Sequence, residues 1–279
     1  MRASSFLNIK FIIGATCLIL IFTLAVFGGL VTPHDSVEQD LMNSLQPPAF
    51  DMDRHYLGTD QLGRDIFARM VSGARVSLMI AVSVVALSGV FGVIYGALSG
   101  YWSGIRDVVL QKVVEAFWAF PPILLALALL AFMGQSLFNL VLALSIQRWI
   151  PYSRIARAHT LVLREREFVA ASRMMGGGTA WVIRRHILPN LISPSIVIGT
   201  FSMATAILAE ASLSFLGLGV PPEIATWGGM LSEGRSYADE AWWIAVFPGV
   251  GIFLTVLGLN LVGDWLRDLF DSNQTSKLR

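Results

Sequence analysis

Long uncharged runs alternate along this chain with short polar interruptions, and the alternation predicts its elements. Arg2 and Lys10 precede an uncharged run from Phe11 to Val31, 21 residues in length. Roughly 20 apolar residues cross a hydrocarbon core, whereas the apolar part of a cleaved signal peptide is about 7–15 residues long. The run therefore reads as an uncleaved anchor. Further spans are expected over residues 76–100, 113–133, 136–152, 191–220 and 242–263. Ser83, Ser88, Gly89, Gly92 and Gly96 would let the second span pack closely against a neighbour. A short polar turn of Arg106, Asp107 and Lys112 leads into the third, which carries Glu115 near its start and the pair Pro121-Pro122 inside it. Prolines in a span free carbonyls that need other partners, so a kink is expected there. It reads either as irregular packing or as a moving gate helix. Arg148 interrupts the fourth span, which is kept because the basic loop after it would otherwise be exported.

The polar segments set the topology. Residues 32–75 contain LGTDQLGRDIFARMVSGARVSL at 57–78, where Thr59 or Asp60 is expected to cap a short surface helix through Ile66, Phe67 and Met70. Residues 148–190 hold eight arginines against two acids, Glu165 and Glu167. Residues 221–241 hold only Arg235 against Glu223, Glu233, Asp239 and Glu240, and the tail adds Arg267, Lys277 and Arg279. Six spans with both ends in the cytoplasm put three quarters of the 20 basic residues inside. The expected fold is all-α, a polytopic bundle of six transmembrane helices. Its expected division is an anchor and periplasmic segment over 1–75 and a transmembrane domain over 76–270.

The longest polar stretch, residues 164–190, reads as a lever. Four charges, Arg164 to Glu167, precede a helical run from Phe168 to Met175. Gly176, Gly177 and Gly178 permit a change of direction, a second short helix begins near Thr179, and Pro189 closes the segment before the next span. Phe168, Ala171, Ser172 and Met175 fall on one helical face, small residues between bulky ones. Such a face fits a cleft in another protein or packs on the chain's own spans. In the fifth span, Glu210 is expected past the middle toward the outer face, paired at a helix interface or touching solute.

Composition narrows the chemistry. The chain is 55% hydrophobic and 14% charged, with a mean hydropathy of +0.66, so lipid is its solvent. A net charge of +1 leaves no surplus of cations for nucleic-acid phosphates. Cys17 is the one cysteine, and His34, His55, His159 and His186 are scattered without ligand spacing, so no metal site is expected. The lysines, Lys10, Lys112 and Lys277, follow Ile9, Gln111 and Ser276, which excludes a Gly-Lys-Ser/Thr phosphate loop. No histidine or aspartate accompanies the serines within the spans, so a serine nucleophile lacks its base. A non-enzymatic pore subunit driven by a separate ATPase remains. Two alternatives stay open: a single-chain ion-coupled carrier, and a non-transporting assembly factor.

The motifs then carry a resemblance. Residues 167–190 resemble the EAA loop of type I ABC importer permeases, with Ala170-Ala171-Ser172 at the EAA triplet, then Gly176, and Leu188-Pro189 as the closing pair. Ala170 stands where that motif has its acid. His55-Tyr56-Leu57-Gly58-Thr59-Asp60 with Gly63-Arg64-Asp65 is similar to the amino-terminal motif of the C-type permease in dipeptide, oligopeptide and nickel importers. Glu210 to Gly219 and Trp227-Gly228 with Met230-Leu231 resemble the same subfamily. The resemblance implies a multi-pass permease of the bacterial inner membrane with a B-type permease as heterodimeric partner. Two cytoplasmic ATP-binding subunits would hold ATP and Mg, none of it bound by this chain, and a periplasmic binding protein would deliver a peptide or similar solute. It makes Glu167, Phe168, Ala170, Ala171, Ser172, Met175, Gly176, Leu188 and Pro189 the ATPase-coupling set. Glu210, Pro121 and Pro122 are the gate or pathway candidates.

Overall fold

The computed structural model describes residues 9–49 and 55–276, with side chains as far as residue 270. Arg2, Lys277 and Arg279, counted above for topology, lie outside the described residues. Ten α-helices dominate the described residues: α1 (Ile9–Phe27), α2 (Ile66–Trp102), α3 (Gly104–Trp118), α4 (Pro122–Met133), α5 (Leu137–Leu163), α6 (Glu167–Met174), α7 (Thr179–Val182), α8 (Leu188–Phe215), α9 (Trp227–Gly234) and α10 (Trp243–Ser276). Four stretches are long and apolar enough to cross a membrane: Ile9–Leu30, Ile66–Trp102, Thr179–Phe215 and Trp243–Phe270. The pair α3 and α4, bent by 79°, makes a fifth if it is one broken span. Helix α5 is 27 residues long, but its polar content keeps it out of that set.

Helix α5 nevertheless lies at the centre, because glycine lets α2 approach its backbone. A Cβ at Gly92 or Gly96 would collide with the carbonyl oxygens of Trp149 and Ser153. One turn on, a Cβ at Gly100 would stand 2.8 Å from the Arg157 oxygen. The i, i+4 repeat is a small-residue seam, the packing that helices use where burial from water cannot drive association. Gly89, expected on that seam, makes only ordinary contact with the Tyr152 ring. Helix α1 docks on α10 by the same device, Gly14 lying against Gly258. The Arg75 guanidinium of α2 donates to the Ala25 and Val26 carbonyls, satisfying acceptors that the end of α1 leaves free.

Four local expectations are corrected. Asp65, not Thr59 or Asp60, caps the helix after the polar segment, its carboxylate accepting from the Ala68 N–H at 2.6 Å. That helix is no short surface element: it runs unbroken through residues 75 and 76 to Trp102, because nothing between Val76 and Tyr101 interrupts its apolar pattern. Arg106, Asp107 and Lys112 lie within α3 and form no turn; Ser103 (φ 47°) and Gly104 (φ 65°) make the reversal. The third span is broken outright at residues 119–121, since Pro122 starts a new helix where its missing N–H costs nothing. The freed carbonyls do find a partner. Gln147 of α5 donates to the Phe117 oxygen at 3.0 Å and the Phe120 oxygen at 2.9 Å.

Candidate functional site: the lever and the opposite plug

Helix α6 is held on one side and open on the other. Val169 is fully buried and joins Val182, Ile183, Ile187 and Leu191 in a small second core against Ala97 of α2 and Ala156 of α5. Arg164 donates to the Gly100 carbonyl at 2.9 Å, capping α2. Arg173 donates to the Tyr101 hydroxyl at 3.1 Å, with its guanidinium 4.7 Å from the ring centroid. The turn that leads into the helix, at Arg164, and its last turn, at Arg173, are thus tied to the end of α2.

The glycine corner has a defined geometry. Gly176 adopts φ +87°, its N–H reaches the Arg173 oxygen, and the Gly177 N–H reaches the Ser172 oxygen, both at 3.0 Å. This paired closure with a left-handed residue is the Schellman motif, which favours glycine because a Cβ is strained there. Nothing lies within 4 Å of a Cβ at Gly176, so the strain is conformational only.

The opposite face of α6 is uncovered. Phe168, Ala170, Ala171, Met174 and Met175 are all exposed, Met174 and Met175 at 88% and 80%. Ser172, expected on the same face, is corrected: it is 2% exposed, because at i+3 from Val169 it points into the second core. Glu167 is exposed at the helix start, where a carboxylate complements the macrodipole. Pro189 does not close the segment. Residues 183–187 form a π turn in which the Leu188 N–H reaches the Ile183 oxygen, and Thr179–Phe215 reads as one continuous helix. The wider turn absorbs the proline and joins α7 to α8 without a break.

At the other end of the bundle the polar segment folds into a plug. Asp60 accepts from the Leu62 and Arg64 N–H groups and from Arg64 Nε at 2.6 Å. Glu233 of α9 binds Arg64 at 2.8 Å and Arg69 at 3.0 Å, so buried arginines bridge two carboxylates. The Trp243 indole donates to the Thr59 oxygen at 3.0 Å. Helix α9, capped by Thr226, drives Trp227 to full burial between Gly73 and Gly251, its indole donating to the Met70 oxygen at 3.1 Å. Sequence reasoning missed this network, because its ion pairs join residues far apart in the chain. His34 and His55, read as scattered, also meet here with Asp65, which holds His55 Nδ1 at 2.8 Å; the candidate ligand atoms of the three lie within 4.8 Å of one another.

Glu210 sits beneath α9. It is 1% exposed, Oε1 accepts from Ser214 at 2.8 Å, and a Cβ at Gly228 would stand 2.9 Å from Oε2. It is therefore packed at a helix interface. Pro121 and Pro122 are exposed at the α3–α4 break, beside Gln147.

The exposed lever and the absence of a phosphate loop leave open which proteins share this arrangement. The family described as binding-protein-dependent transport system inner membrane component matches residues 92–275, which takes in α3 to α10. The chain belongs to that family. Residues 8–48 also match the N-terminal TM domain of oligopeptide transport permease C. The di/tripeptide transport system permease protein DppC of Pseudomonas aeruginosa is 40% identical over 261 residues, 92% of this chain and 86% of the relative. The dipeptide transport system permease protein DppC of Alkalihalophilus pseudofirmus is 39% identical over 265 residues, 95% and 86% of the two chains. The oligopeptide transport system permease protein OppC of Bacillus subtilis is 38% identical over 259 residues, 93% and 84%. The protein is thus a multi-pass inner-membrane permease component of the OppC/DppC type, not the ATPase.

Proposed function

We propose that this permease is the C-type half of an ATP-driven peptide importer and forms the solute pathway together with a B-type permease. Two cytoplasmic ATP-binding subunits hold ATP and Mg and hydrolyse the nucleotide. A periplasmic binding protein delivers the solute. Peptide is the cargo that the relatives' names favour. One observation carries the mechanism: α6 is pinned on one side by Val169, Arg164 and Arg173 and uncovered on the other. A pinned helix with an open face transmits force where a floppy loop cannot. Phe168, Ala171, Met174 and Met175 would enter a cleft of one ATPase, with Ala170 and Glu167 at its rim. Closure of the ATPase pair would push through the Gly176 corner and past Leu188 and Pro189 into α8. Pro121, Pro122 and Gln147 form a hinge at which α4 can swing, while Glu210 holds α9 on the bundle.

In this reading α1, α2, the α3–α4 pair, α5, α8 and α10 make six crossings, with both chain ends and α6 in the cytoplasm. The arginines concentrated around α6 favour that orientation. Reporter fusions at Gln46 and Gly176 are expected to give opposite signals; equal signals would remove the six-crossing topology. For the function, the complete importer reconstituted in liposomes is expected to take up peptide only with ATP, binding protein and both permeases present. Uptake by this chain alone under an ion gradient would instead favour the single-chain carrier.

A further inference from the structure

Arg148 is a half-buried cation on an open side of the bundle, without a countercharge among the described residues. It lies 11 residues into α5, which at 1.5 Å per residue is about 17 Å from the helix start, near the middle of a core of roughly 30 Å. Its guanidinium donates from Nη1 to the Thr205 hydroxyl at 2.5 Å and from Nη2 to the Thr205 carbonyl at 2.8 Å. Among the described residues no carboxylate pairs with it, whereas Arg64, Arg69, Arg157 and Arg164 each have one. Thr205 uses its side chain and carbonyl to aim the group, and Arg's remaining donors are free to take a planar anion.

The surroundings point to a ligand. Arg148 lines a cavity of about 330 Å³ with Pro122, Ala126, Gln147, Pro151 and Thr205, at the broken corner between α3 and α4. Thr205, Ile123 and Pro122, which line this cavity, are exposed, so it is left uncovered by the described residues. Lipid is a poor cover for a cation at this depth, and intramembrane charges characteristically face the bundle interior or a water-filled cavity. Glu210, an acid well inside a long apolar helix, is by contrast buried under α9 and hydrogen-bonded to Ser214.

We infer that Arg148 is a pathway residue that binds the carboxylate of the passing solute, with Thr205 as its positioning residue. The inference rests on the proposed peptide pathway and adds to it a specific contact. A linear peptide carries a C-terminal carboxylate whatever its side chains. One arginine beside an apolar cavity therefore offers a grip independent of sequence. The competing occupant of the same chemistry is an acid of the second permease, and the experiment separates the two.

Phenylglyoxal modifies accessible arginines, and its attachment at Arg148 can be read by mass spectrometry in the assembled importer. Trialanine added without binding protein is expected to slow labelling of Arg148, and trialaninamide is not. Equal protection by both peptides, or by neither, would overturn the inference. So would an Arg148 that never labels, the signature of a permanent ion pair with the second permease. Independently, Arg148→Gln is expected to lower peptide uptake about tenfold, the size of one lost charge-assisted hydrogen bond. Arg148→Lys should retain more uptake than Arg148→Gln, because it keeps the charge. Unchanged uptake in Arg148→Gln would contradict a pathway role, as would parallel loss of assembly in both variants. If the parent importer moves no peptide at all, the proposed function fails, a result distinct from failure at Arg148.

Discussion

A leucine in place of Gly96 is expected to keep the permease from accumulating in the membrane. Even a methyl group there collides with the Ser153 carbonyl, and a Cβ would also stand 2.8 Å from that of Ala156. The obstruction is backbone, not a movable side chain, so the two helices must separate. Overpacking in a close-packed interior costs typically 1–3 kcal/mol, and a seam of backbone contacts stands at the upper end or beyond. Because Gly92 and Gly100 repeat the contact one turn away on either side, the shift propagates along the α2–α5 seam. Gly178→Ala is the control: nothing lies within 4 Å of its Cβ and its φ is −70°. Western blots of membrane fractions should show normal levels of Gly178→Ala and almost none of Gly96→Leu. Comparable levels of both would mean that the seam does not set the fold.

The second large effect is expected at Gly176 and should appear in transport and not in folding. A valine there meets no neighbour in this chain but must adopt φ +87°. Left-handed backbone costs roughly 1–2 kcal/mol for a residue with a Cβ, which is about tenfold in the occupancy of the corner. The permease should still assemble with both ATPases, while stimulated ATP turnover and peptide uptake fall together by about that factor. Asparagine tolerates the left-handed region better, so Gly176→Asn should lie between parent and valine. If Gly176→Val loses ATPase docking in proportion to its stability, the corner is only a structural turn.

How much of this was readable in the sequence differs by segment. The apolar spans, the basic loop and the glycine corner were legible because length, charge and φ preference are local properties. Gly92 and Gly96 were legible for the same reason, since a small residue every four places predicts a seam whatever its partner. The cap at Asp65 was not, because Thr59, Asp60 and Asp65 are all competent caps, and the bonds of Thr59 to Asn43 and of Asp60 to Arg64 remove the first two from competition. Ser172 failed in a related way. A periodic face says which residues point together, but Val169 decided which way the helix turns, and its partners Ala97 and Ala156 lie far off in sequence. The break at residues 119–121 was under-read because a proline pair signals a kink without its angle. The plug was invisible for the same long-range reason: Arg64 and Arg69 meet Glu233, 169 and 164 positions away.

The central claim is that the open face of α6 receives force from an ATPase, and proximity tests it most directly. In a permease lacking Cys17, single cysteines at Ala171 and Met175 stand on the exposed face. With a matching cysteine in the cleft of the ATPase, mild oxidation of the assembled importer is expected to cross-link the two subunits. The yield should change when ATP is bound, because closure moves the cleft. Failure to cross-link to the ATPase at every position from Phe168 to Thr179, in an importer shown to be assembled, would contradict the account and leave α6 an ordinary surface helix.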